Sequence, residues 1–140
     1  MIILPKSERR KLDEDCLVLW AKCIKTKRKT CQVTNSDSML QAHHIIEKNY
    51  RFGRYALENG MTLSNTVHCL QKGWPEKFRD TVLSTIGEGE YNRLKKKYMY
   101  HPPCMRTITD LRQIKRDLKA ELKRLESDWG RPFDPTEIPF

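Results

Sequence analysis

Gln41-Ala42-His43-His44-Ile45-Ile46 and, after a connection, Asn59-Gly60-Met61-Thr62-Leu63-Ser64-Asn65-Thr66-Val67-His68 hold three of the four histidines of the chain. Both pieces read as short apolar strands, the second opening at an Asn-Gly pair. Successive side chains of a strand point to opposite faces, so His43 and His44 cannot do the same job. One can reach inward towards a metal, while the other can face a water or substrate from the far side. Ser64 or Asn65 is a natural cap for a short helix that carries His68 in its first turn. The local order is therefore strand with His-His, connection, short strand with Asn, then helix with His.

Working outward, 140 residues suffice for one modest domain or a small catalytic core with helical additions. A formal charge of +9 favours a polyanionic partner, nucleic acid before an anionic membrane surface. No run of eighteen apolar residues exists, and Met1-Ile2-Ile3-Leu4 stops at Pro5, which argues against a signal peptide or a membrane span. The five cysteines (Cys16, Cys23, Cys31, Cys69, Cys104) are odd in number and irregularly spaced. They do not make a disulfide framework, so a reducing cytoplasm is expected.

Residues 1–30 are expected to form an amphipathic helix and a basic segment. Leu12, Cys16, Leu19, Trp20 and Cys23 recur at helical spacing from Ser7 onward, and Lys25-Thr26-Lys27-Arg28-Lys29 follows. Residues 31–73 hold the histidine motif, and Gly73 is placed to end its helix. Residues 74–128 form a helical extension. Pro75 starts a helix with the stripe Phe78, Val82 and Ile86, and Gly87-Glu88-Gly89 interrupts it. A basic helix over Glu90 to Tyr98 comes next, and the strongest helix runs from Thr107 to about Asp128. Its stripe of Ile108, Leu111, Ile114, Leu118, Leu122 and Leu125 docks on the domain or pairs two copies as a homodimer, and Thr107-x-x-Asp110 is a start signal. Trp129 to Phe140, with three prolines, reads as a non-helical tail.

The histidine arrangement resembles the ββα-metal (HNH) nuclease motif, and the resemblance implies phosphodiester hydrolysis, which needs an attacking water, a cation to offset charge on the transition state, and help for the leaving oxygen. His43 and His68 are the expected ligands of one divalent cation that contacts the scissile phosphate. His44 is the expected general base, because a neutral imidazole titrates near operating pH, and a backbone carbonyl on its other nitrogen would fix the tautomer. Asn59 takes no chemical part. Its amide donates and accepts across the hairpin and keeps His44 aimed. Arg51, Arg54 and Lys72, with Lys27 and Arg28 of the basic segment, are expected to grip flanking phosphates of DNA.

Together these features resemble the ββα-metal (His-Me finger, or HNH) nuclease motif. The resemblance implies an α+β protein with a ββα-metal core, an N-terminal helix and two to three C-terminal helices. Ala42-His43-His44-Ile45, Leu57-Glu58-Asn59, Thr66-Val67-His68 and the later Phe78-Arg79-Asp80-Thr81-Val82-Leu83-Ser84-Thr85-Ile86-Gly87 are similar to the NinG/Rap recombination endonucleases of lambda-like phages. That likeness spans roughly residues 20 to 125. It implies a DNA endonuclease acting on branched DNA, of phage or prophage origin, that leaves 3′-hydroxyl and 5′-phosphate ends. It also implies Mg²⁺ or Mn²⁺ as cofactor, with Zn²⁺ or Ni²⁺ as stand-ins. The family has a small residue in place of His43 and an asparagine in place of His68. The histidines here are closer to nicking and toxin-type enzymes. Its structural zinc, held by paired Cys-x-x-Cys turns, maps onto Cys31/Thr34 and Ser64/Val67, where one position of four can ligate, so no structural zinc is expected. Rival readings are a site-preferring nicking or homing enzyme, a protein that only binds DNA, and a basic helical adaptor.

Overall fold

Ser7 accepts a hydrogen bond from the backbone N–H of Arg10 and so caps the first helix, α1 (Glu8–Lys27). The computed structural model describes residues 7–100 and 106–130. Within them the architecture is α+β, mostly helical, with five helices and one two-stranded antiparallel sheet. On α1 the buried face is Leu12, Cys16, Trp20, Cys23 and Ile24. Three- and four-residue steps put these side chains on one stripe, as the spacing predicts, with Leu19 only partly buried at its margin.

That stripe packs on the long C-terminal helix α5 (Ile108–Gly130). The Thr107 backbone N–H reaches Asp110 at 2.9 Å while the Asp110 N–H reaches the Thr107 hydroxyl at 3.1 Å, a reciprocal cap that starts the helix where Thr107-x-x-Asp110 marks it. The Cys16 thiol donates to the Leu111 carbonyl, and the Cys23 thiol to that of Leu118, each at 3.5 Å and each 95 residues away. A constant offset means that the two helices run parallel. Burial raises both thiols to about 11, so they remain protonated donors at neutral pH. Leu111, Leu118 and Leu125 are buried here, with Ile108, Ile114 and Leu122 packed at the edge. The apolar face expected either to dock or to build a homodimer is thus occupied by α1 of the same chain. The pairing of two copies through that face loses its basis, because the leucines are already out of water.

The sheet joins β1 (Leu40–His44) to β2 (Gly60–Ser64) in the register Ala42 to Thr62, His43 to Met61 and His44 to Gly60. One face (Ala42, His44, Gly60, Thr62) lies on α1: the Thr62 hydroxyl donates to the Ile24 and Arg28 carbonyls. The other face (His43, Met61, Leu63) meets two further helices. Ser64 accepts from the Val67 N–H and caps α2 (Asn65–Gly73), and Pro75 opens α3 (Pro75–Ile86). Met61, Leu63, Val67, Phe78 and Val82 form the second core cluster.

Gly87 takes a φ of +87°, which only glycine adopts without cost, and this one residue separates α3 from α4 (Glu88–Leu94). The basic helix therefore begins at Glu88, ahead of the predicted Glu90, and ends in a π-helical turn over Lys95–Met99. Leu94 and Tyr98 bury against Ile46 at the end of β1. Helix α5 extends through Gly130, so the first two residues of the expected tail are helical. The rest of that tail, residues 1–6 and His101 to Met105 lie outside the described residues. Among the described residues no helix is long and apolar enough to cross a membrane.

Candidate active site

Alternation along β1 and the cap at Ser64 decide where the three histidines go. On the α2 face, the ring centroids of His43 and His68 are 5.7 Å apart, with 73° between the planes. At that separation the two rings are near enough for one nitrogen of each to reach a common cation at about 2.1 Å. Phe78 of α3 sets its ring edge-on to His43 at 5.0 Å and walls off that side. Burial, then the neighbouring His68 and His44, bring the pKa of His43 down to about 4, so its ring is neutral at physiological pH and able to donate to a metal. Among the described residues no group of three or more His, Cys, Asp or Glu side chains is arranged around one ion. A cation held by the two rings would keep most of its coordination sphere open to water and phosphate oxygen, as catalytic metal sites do.

His44 faces the other way. Its ring stacks on Trp20 of α1, centroids 3.8 Å apart and planes 8° from parallel, and the indole is fixed by its N–H to the Ala56 carbonyl at 2.9 Å. The Nε2 of His44 lies 2.9 Å from the Arg54 carbonyl oxygen. A carbonyl can only accept, so Nε2 carries the hydrogen and the neutral ring keeps its lone pair on Nδ1. Burial lowers the His44 pKa, against the carbonyl bond, with Lys48 and Arg54 adding to the lowering. The backbone carbonyl expected to set the tautomer is therefore that of Arg54.

Asn59 has no exposed surface. Its Oδ1 accepts from the Ile46 N–H at 2.7 Å, and its Nδ2 donates to the Ile46 and Gly53 carbonyls at 2.9 and 3.0 Å. With the Ile45 N–H on the Asn59 carbonyl at 2.9 Å, this side chain ties the end of β1 to the connecting segment. Two 3₁₀ turns, Arg51–Gly53 and Leu57–Asn59, shape that segment.

The basic residues divide. Arg51 and Lys72 are exposed. Arg54 is not a free phosphate grip: its guanidinium makes paired bonds of 2.8 and 2.7 Å to Asp13, and Tyr55 donates to the same carboxylate. Its side chain anchors the segment to α1 while its carbonyl holds His44. Lys27 and Arg28 border a depression with Gly60 and Thr62, on the α1 face of the sheet and away from the His43–His68 pair. Arg28 also bonds the Thr30 carbonyl at 3.3 Å.

Cys31, Thr34, Ser64 and Val67 do converge. Burial alone would raise the Cys31 thiol, but hydrogen bonds from Thr34, Ser64 and Val33 outweigh it and bring the pKa to about 6. Val67 and Cys31 share one apolar cluster with Phe78, so aliphatic packing fills this corner. Trp20, Asp13 and Phe78 were not singled out from the sequence as site residues. Trp20 and Phe78 sit on ordinary apolar stripes and Asp13 on a charged helix face, and nothing local marks them as neighbours of a histidine. No protein-family model, curated protein or solved structure matches the chain.

Proposed function

We propose that the chain is a metal-dependent DNA endonuclease of the ββα-metal (HNH) kind. The observation that carries this reading is the division of labour at the end of β1. His43 converges with His68, whereas the adjacent His44 has its Nε2–H committed to a carbonyl and its Nδ1 left as a base. Gln32 bonds along the outer edge of β2, but among the described residues no backbone hydrogen bond covers the outer edge of β1. A phosphate arriving at that edge meets both histidines, whose Cα atoms are about 3.8 Å apart. His44 Nδ1 takes a proton from the attacking water, the water oxygen bonds to phosphorus, and the P–O3′ bond breaks with its electron pair on the 3′ oxygen, which then takes a proton from solvent. A divalent cation held by His43 and His68 would supply charge compensation at the phosphate and the leaving oxygen. Two imidazoles without a carboxylate suit Ni²⁺ or Zn²⁺ better than Mg²⁺ or Mn²⁺, which favour oxygen donors. Asn59 keeps the segment in register, and the exposed Arg51 and Lys72 contact flanking phosphates.

The preference for branched DNA rests on the family resemblance alone. The stacking of His44 on Trp20 favours a second reading, in which the ring is a packing element and the protein only binds DNA. One experiment separates them. Supercoiled plasmid and a four-way junction are incubated with Mg²⁺, Mn²⁺, Ni²⁺ or EDTA, using wild type and His44→Ala. Metal-dependent cutting that falls by about 10²–10⁴-fold in the variant, with DNA binding retained, is expected. Faster cutting of the junction places the enzyme with recombination endonucleases, and one dominant plasmid nick with a site-preferring enzyme. A wild type that binds DNA and cuts with no metal would overturn the proposal.

A further inference from the structure

One cavity lies away from the histidines. It opens between the start of α1, the segment after β1 and the start of α5, with a volume of about 230 Å³. Five arginines, Arg9, Arg10, Arg51, Arg54 and Arg106, line it, against one acid, Asp13. Asp13 is spoken for, since Arg54 takes both of its oxygens. Arg10 meets Glu14 only at 3.5 Å, on the surface. Arg9 donates to the Arg106 carbonyl, a neutral acceptor. Arg106 spans the floor: one terminal nitrogen donates to the Phe52 carbonyl at 3.2 Å, and the guanidinium lies 5.4 Å over the Tyr55 ring. Its Nε is buried with no hydrogen-bond partner among the described residues. Buried charged donors are seldom left unmade, and like charges do not gather without a reason.

We infer that this cavity is a phosphate-binding pocket for a nucleic-acid strand, distinct from the His43–His68 pair. Guanidinium forks match the paired oxygens of a phosphate. A phosphate there would offset Arg9 and Arg51 together, beside the Arg106 guanidinium that lines the same cavity. The N-terminal turn of α1 adds partial positive charge on the same side. The occupant is read as nucleic acid because the whole chain carries +9, which draws a polyanion in preference to a small metabolite. The pocket also touches the proposed chemistry. Arg54 faces it with its side chain and holds His44 with its backbone, so a phosphate competing with Asp13 acts on the residue that aims the base. The pocket itself requires neither a metal nor a cut, so it stands if the nuclease reading fails.

The test is binding in EDTA, where no cleavage can occur. Labelled single-stranded oligonucleotides with a 5′-phosphate or a 5′-hydroxyl are titrated by fluorescence anisotropy, and inorganic pyrophosphate is used as competitor. The proteins are wild type, Arg51→Gln, Arg106→Gln and the surface control Lys123→Gln, which loses the same charge elsewhere. Expected is at least a tenfold weakening in both pocket variants, less than twofold in the control, and pyrophosphate competition in wild type alone. A preference for the 5′-phosphate would identify a strand end as the occupant, and equal binding of both oligonucleotides an internal phosphodiester. Arg9 is exposed and has no part in the proposed cleavage site, so Arg9→Gln, titrated in the same way, remains informative if Arg106→Gln unfolds. Equal weakening in Arg9→Gln and Lys123→Gln, or no competition by pyrophosphate in wild type, would overturn the pocket.

Discussion

Replacing Asn59 by alanine tests whether one amide holds the site together. The side chain makes three hydrogen bonds in a place with no solvent, so alanine strands the Ile46 N–H and removes a partner from the Ile46 and Gly53 carbonyls. An orphaned buried N–H costs about 1–3 kcal/mol, and the two carbonyls, each with a second lone pair, cost less. With the small void left behind, the loss should come to about 3–4 kcal/mol, a large share of the roughly 5–15 kcal/mol expected of a domain this size. Urea unfolding should show a lower midpoint at an unchanged slope, and the Ile46 amide should lose its hydrogen-exchange protection first. Asn59→Asp sharpens the test. Aspartate can still accept from Ile46, but ionised it presents negative oxygens to two carbonyls, so its folded-state pKa should rise above the unfolded value. Its deficit relative to wild type should then be smallest below about pH 4 and grow as pH rises. A loss under 1 kcal/mol for Asn59→Ala, with the Ile46 amide still protected, would refute the idea that this side chain holds the strand end.

Other consequences follow from particular contacts. Gly60→Ala would place a Cβ 2.6 Å from Ile24 Cγ1 and 2.8 Å from Trp20 Cζ2. It should cost about 2–3 kcal/mol by thermal melting and lower metal-dependent cutting, because the indole under His44 must shift. Glu58 is pulled down to about 2 by bonds from Lys97 and Tyr98, against burial and with help from Arg93. A depressed carboxylate stabilises the fold above its unfolded pKa and loses that contribution as pH falls through the folded value. The gap in urea midpoint between wild type and Glu58→Gln, about 1–2 kcal/mol at pH 7 after allowing for solvent screening, should shrink steadily from about pH 5 towards pH 2. A gap independent of pH would remove that ion cluster from the account. Cys69 is exposed whereas Cys16 and Cys23 are buried with raised pKa values. A thiol reagent at pH 8 should therefore label Cys69 in the folded protein and reach the other two only on unfolding. Early labelling of Cys16 would show that the α1–α5 contact opens.

Local pattern carried most of what the sequence revealed. The His-His strand, the Asn-Gly start of its partner, the Ser64 cap and the helix that carries His68 all depend on neighbours a few residues apart, and each is found at its expected place. Asn59 stands at the strand start that the Asn-Gly pair marks, whereas its complete burial could not be read from that pair. The π-helical turn at Lys95–Met99 left no such trace, because the residues that hold it, Ile46 and Glu58, lie far upstream. The apolar stripe of α5 announced that it would be covered but not by what. Its partner is set by Cys16 and Cys23, whose side chains are small enough for the two helices to approach and bond thiol to carbonyl.

Arg54 shows where reading by residue type fails. An arginine among aromatics in a basic chain has the composition of a phosphate contact, and Arg51, three residues earlier, remains free to be one. What separates them is Asp13, 41 residues upstream on a helix whose position no local signal gives. Once Asp13 takes the Arg54 guanidinium, the backbone of Arg54 is pinned, and a pinned carbonyl is what His44 Nε2 needs. The same commitment leaves Arg9, Arg51 and Arg106 around a cavity whose only acid is used up. One ion pair thus bears on two features, which nitrogen of His44 keeps its lone pair and where an unoffset positive field lies. Asp13→Asn keeps the shape but removes the charge. If this chain of cause is right, that substitution should loosen His44, visible as a shifted and broadened imidazole signal in NMR, and tighten oligonucleotide binding in EDTA. An unchanged His44 signal with unchanged affinity would separate the ion pair from both.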